Sequence, residues 1–66
     1  MNSTQTFIIF CIEAYKKEKK ITGKEVILEF KKYNVFNFLS NFYDILHSQS
    51  MKYIVDEINE FIKSSK

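Results

Sequence analysis

Proline is absent, and glycine, cysteine and histidine occur once each in this 66-residue chain. Without proline and almost without glycine, the chain holds few residues that interrupt a helix. Cys11 has no second thiol to pair with, and one Cys with one His cannot supply a four-ligand structural zinc site. Arginine is missing too. All ten basic residues are Lys, so no Arg is present for the bidentate reading of guanine. The apolar run Phe7 to Ile12 is followed by Glu13. It is too short for a membrane span and lacks the basic flank of a secretory signal. With no disulfide and no such signal, the expected compartment is the cytoplasm. No glycine-rich phosphate loop and no metal-ligand spacing occurs.

What is present is aromatic bulk: seven Phe and four Tyr. A chain of this size buries only about 60% of the surface it exposes when unfolded, and each enclosed ring removes about 150–250 Å² from water. Any remaining deficit is met by a partner or by self-association, because whatever binds only the folded state stabilises it. The net charge of +2 points to no class of partner. The wealth of Ile, Asn, Phe and Lys points to an AT-rich bacterial genome.

The densest apolar stretch is Val35 to Leu46. On a helical wheel Val35, Phe36, Phe38, Leu39, Phe42, Tyr43, Ile45 and Leu46 fill an arc of roughly 180°. Half a cylinder needs at least two neighbours to cover it, which makes this the central helix of a single all-α domain over residues 1–66. Four helices are expected, at about 4–19, 23–33, 35–47 and 50–63, in one small compact bundle. The first takes Ser3 or Thr4 as its cap and buries Phe7, Ile8, Cys11, Ala14 and Tyr15, with Phe10 and Ile12 on the flanks. Thr22 and Glu25 have capping-box spacing between Ile21 and Val26, so a helix begins at Gly23. Its stripe is Val26, Ile27, Phe30 and Tyr33, and Asn34 suits a left-handed stop. Ser48 or Ser50 caps the last helix. There Met51, Ile54, Val55, Ile58, Phe61 and Ile62 keep strict helical spacing. The polar ends, Met1 to Gln5 and Ser64 to Lys66, are expected to fray.

Candidate chemistry is sparse. Asp44 and His47 stand one helical turn apart and could share a hydrogen bond that orients an imidazole for proton transfer. No nucleophile lies near them in sequence, so a structural role is preferred and no catalysis is expected. Cys11 on an apolar stripe reads as a buried, inert thiol. Lys16, Lys17, Lys19, Lys20 and Lys24 crowd the first connection and suit phosphate contacts. The interleaved Glu13, Glu18, Glu25 and Glu29 make a solvated mixed-charge face the better reading. Protein interaction is the strongest class: Ile9 and Leu28 fall off their stripes, and Asp56 lies on the acidic outer face of the last helix.

The string Tyr43-Asp44-Ile45-Leu46-His47-Ser48-Gln49-Ser50, followed by Tyr53-Ile54-Val55-Asp56-Glu57-Ile58, resembles a bacterial family of about 70-residue helical proteins of unknown function. Phe10-Cys11-Ile12-Glu13 and Ile21-Thr22-Gly23-Lys24-Glu25 are similar to it as well. Members are commonly encoded beside a small ADP-ribosyltransferase-like protein, in the manner of a toxin–antitoxin locus. The resemblance implies the neutralising or accessory component, with no catalytic residue, cofactor or metal. The residues singled out for partner binding are Ile9, Leu28, Asp44, His47, Ser48, Gln49 and Asp56. The preferred reading of His47 and Gln49 is that they cap and tie the turn before the last helix; the functional reading makes Asp44, His47, Ser48 and Gln49 a polar corner touching the partner. A Lys-rich, operon-regulating nucleic-acid-binding module and a homo-oligomer are the other readings.

Overall fold

A computed structural model describes residues 2–66; Met1 lies outside the described residues. Five helices follow one another: α1 (Ser3–Lys19), α2 (Gly23–Lys32), α3 (Val35–Asn41), α4 (Tyr43–Leu46) and α5 (Met51–Ser65). The described residues contain no strand.

Local chemistry sets the helix ends. Asn2, rather than Ser3 or Thr4, caps α1: its Oδ1 accepts from the Gln5 amide at 2.8 Å, and Gln5 Oε1 accepts from the Asn2 amide at 3.3 Å. Neither expected cap has a Gln or Glu three residues on, so only Asn2 can form the reciprocal pair. The polar ends are accordingly helical from Ser3 and through Ser65. Lys20, at φ 56°, turns the chain left-handed after α1, and the Ile21 amide reaches back to the Lys16 carbonyl at 3.2 Å. Thr22 and Glu25 then form the expected box, with bonds of 3.0 and 3.1 Å. Asn34, at φ 61°, makes the second left-handed stop where it was expected.

The region 35–47 departs from a single helix. The backbone breaks at Phe42 (φ −108°, ψ 17°), dividing α3 from α4. Phe38 stacks on Phe61 of α5 at 4.3 Å, whereas Tyr43 meets Phe7 of α1 edge-on at 5.4 Å. Positions 38 and 43 lie about 140° apart on a straight helix, and the bend lets both rings keep their anchors. Phe42 and Ile45, placed in the apolar arc by the wheel, are thereby turned outward, 47% and 63% exposed. Ile27, at the margin of its stripe, is also exposed.

α3 is central nonetheless: it packs against each of the other four helices. Phe30, Leu39, Ile54, Ile58, Val26, Val35 and Cys11 are fully buried between α1, α2, α3 and α5. Tyr15, Phe30 and Phe36 form an edge-to-face series at 5.2 and 5.5 Å, an arrangement the ring quadrupoles favour. The Cα radius of gyration, 10.8 Å, matches the roughly 11 Å of a compact chain of this length.

Candidate functional site

His47 closes α4. Its backbone amide and its ring Nδ1 both point to the Tyr43 carbonyl, at 2.9 and 2.8 Å. A carbonyl oxygen only accepts, so Nδ1 carries the hydrogen and Nε2 is the free ring nitrogen. The imidazole also stacks on the Tyr43 ring at 4.5 Å. The expected Asp44–His47 bond is therefore replaced: the carbonyl one turn back captures the imidazole, and Asp44 stays exposed. Ser48 Oγ donates to the Ile45 carbonyl at 3.2 Å and the Gln49 amide to the Leu46 carbonyl at 2.9 Å. These bonds occupy carbonyls that the end of a helix leaves unpaired. Ser50 then caps α5 by accepting from the Tyr53 amide at 3.2 Å, so α4 and α5 are separate helices.

This turn forms one end of a groove between α1 and α5. Asn2, Ser3, Thr6, Phe7 and Phe10 of the α1 side face Tyr43, His47 and Met51 around a hollow of about 380 Å³. A second hollow, about 280 Å³, lies between Ala14, Lys17 and Glu18 of α1 and Met51, Lys52, Val55 and Asp56 of α5. Met51 lines both. Early α1 residues, Thr6 and Phe10, share a hollow with Met51, and later ones, Ala14 to Glu18, share one that extends to Asp56; the two helices thus run in the same direction. The lining is mixed: Phe7, Phe10, Ala14, Met51 and Val55 stand among polar and charged side chains, and Phe10 is 58% exposed. At the His47 end no acid or Lys lines the hollow, and the exposed Asp44 stands beside it. At the other end Lys52 pairs with Asp56 at 3.8 Å; among the described residues Lys17 and Glu18 have no ion pair.

Of the residues singled out from sequence, His47 and Asp56 lie on this groove. Asp44, Ser48 and Gln49 are exposed beside its His47 end. Leu28, 58% exposed, lines a different hollow with Ile21, Glu25, Glu29, Lys32 and Tyr33, and Ile9 is exposed on α1 but lines neither part of the groove. Sequence reasoning missed Phe10, Ala14 and Met51, which it assigned to a stripe or its flank. The signal was their position at stripe margins, readable only once the neighbour of each margin is known.

A third hollow, about 510 Å³, gathers Lys19, Lys63 and Lys66 with Glu29, Glu60 and the buried Tyr15. The Tyr15 hydroxyl donates to the Glu29 carboxylate. Burial first, then the hydrogen bond and charge of Glu29, raise the Tyr15 phenol well above its ordinary range. Burial likewise pushes the Cys11 thiol up to about 12, which keeps it protonated near neutrality. Among the described residues no cluster of three His, Cys, Asp or Glu is placed to hold a metal, and no helix is long and apolar enough to cross a membrane.

These features define a small all-α module with an open groove between two parallel helices. A family described as "Protein of unknown function (DUF3791)" matches residues 6–65, and the chain belongs to it. No curated protein and no solved structure matches the chain.

Proposed function

We propose that this chain is a non-catalytic, cytoplasmic protein-interaction module: the antitoxin or accessory component that binds and neutralises an ADP-ribosyltransferase-like toxin encoded beside it. The observation that carries the protein-binding part is the uncovered apolar surface. Phe10, which lines the groove, is 58% exposed, and an uncovered aromatic ring at a groove favours a protein partner. The toxin part draws its support from the sequence resemblance of Tyr43 to Ser50 and of the two shorter strings. Co-expression tests it. The product of the adjacent gene should arrest growth alone, be harmless with this chain and co-purify with it. A harmless product, or one that stays toxic and does not co-purify, refutes the reading.

One observation favours a nucleic-acid-binding alternative, namely the convergence of Lys19, Lys63 and Lys66 from α1 and α5 on one hollow. Glu29 and Glu60 line the same hollow, and it lies at the negative ends of two helix dipoles. Both weaken its pull on phosphate. Sub-micromolar, salt-dependent binding to random duplex DNA would favour this alternative over the first.

A further inference from the structure

We infer that Phe38, Phe42, Ile45 and Phe61 form a self-association face, on which a second copy of this chain sits antiparallel across α3 and α4. The contact joins like chains and does not depend on the toxin reading above. Phe38 stacks on Phe61 at 4.3 Å and tilts against Phe42 at 5.4 Å, so the three rings are continuous. The break at Phe42 turns that ring and Ile45 outward, 47% and 63% exposed. Charge points to a second copy as the occupant. Of ten Lys and eight Asp or Glu, only Asp44 falls within residues 33–51. A two-fold contact pairs a patch with itself, so a centre without charge meets no like-charge repulsion. The two ends of α3–α4 differ in sign. Just ahead of α3, Lys32 and Lys66 converge on the Tyr33 ring, at 5.3 and 5.9 Å. Asp44 stands at the other end, about 15 Å along the helices from Asn34 at the usual rise per residue. All three charged side chains are exposed, and among the described residues none has an ion pair. A two-fold axis midway, near Phe38 and Phe42, brings each Asp44 towards the partner's Lys32 and Lys66 and lays rings against rings. A parallel arrangement would set Asp44 against Asp44.

The test is sedimentation equilibrium on the full chain, alone, as wild type, Ile45→Asp, Ile9→Asp, Asp44→Lys and the double variant Asp44→Lys with Lys32→Glu. Each is checked for helicity by circular dichroism. Ile45 is largely exposed, so its variant folds, and Ile9, exposed on α1, is the control. The wild type should dimerise with a Kd below about 1 mM. Ile45→Asp should weaken the dimer tenfold or more and Ile9→Asp less than twofold. Exposed ion pairs are individually modest, but the axis repeats each one, so Asp44→Lys should weaken the dimer threefold or more. Adding Lys32→Glu should restore it. A wild type that stays monomeric to about 1 mM, or a dimer that Ile45→Asp leaves within twofold, overturns the self-association face and leaves the proposed function standing. A double variant as weak as Asp44→Lys alone overturns the antiparallel arrangement. A monomeric wild type whose binding to the adjacent gene product is lost in Ile45→Asp overturns the second copy and gives the face to the hetero-partner.

Discussion

Replacing Leu39 and Ile45 by Ala, one at a time, separates a bent α3–α4 from a straight helix. On the wheel the two residues are equivalent members of one apolar arc. In the structure Leu39 is 0% exposed and Ile45 is 63% exposed. Leu39→Ala removes three carbons worth about 0.8 kcal/mol each, about 2.4 kcal/mol in all. The space left between α1, α3 and α5 raises the cost to about 3–5 kcal/mol. For Ile45→Ala the buried share is little more than a third, about 0.9 kcal/mol by the same reckoning. The better helix propensity of Ala offsets part of that, leaving a net loss of about 0.5 kcal/mol. A domain of this size loses about 4–8 °C in Tm per kcal/mol. Thermal melts followed at 222 nm should therefore show Leu39→Ala falling by 12 °C or more in this rough scaling and Ile45→Ala by less than about 4 °C. Equal losses would mean that Ile45 is as enclosed as Leu39. The break at Phe42 would then be wrong.

Two further perturbations probe the caps and the buried tyrosine. Thr22→Ala deletes the hydroxyl that caps α2 and should cost about 1 kcal/mol in urea titration. The Thr22 bonds hold the Glu25 carboxyl below its ordinary range, so their contribution is present above that range and lost as pH falls through the depressed value. Glu25→Gln, which has no carboxyl to titrate, should accordingly lose less stability than the wild type on acidification, and identical acid profiles would refute the linkage. Tyr15→Phe removes the donor to Glu29 and should cost about 1.5–3 kcal/mol. Because the folded-state phenol is raised, its contribution is complete below about pH 10 and declines above it. Absorbance at 295 nm should show Tyr15 ionising after the exposed Tyr53, and ionisation of the two together would contradict the burial of Tyr15.

Much of the fold was legible because short-range chemistry dictates it. The Thr22–Glu25 box, the left-handed Asn34 and the spacing of Ile54, Val55, Ile58 and Ile62 all involve residues within a few positions of each other. Their outcome does not depend on the rest of the chain. The start of α1 was misplaced because Ser3 and Thr4 are good caps by residue type, while the reciprocal partner at Gln5 serves Asn2. The candidate site was less legible. Asp44 and His47 have the spacing of a hydrogen-bonded pair, yet the Tyr43 carbonyl lies nearer to the imidazole in a helix that ends there. Phe10 and Met51 stand 41 positions apart, and no local pattern announces that they line one hollow.

By itself the amino-acid order determined that the chain is helical, where three turns fall and which side of α5 is buried. Those follow from backbone capping and from a repeat of about 3.6 residues. Only the tertiary structure decided where the apolar stretch from Val35 to Leu46 bends, which rings it leaves in water, and that α1 and α5 lie parallel with a groove between them. Each of these is settled by contacts between distant segments: Phe38 with Phe61, Tyr43 with Phe7, Phe10 in one hollow with Met51. A periodicity records how far a side chain sits around its own helix, and it holds no information about which neighbour arrives to cover it.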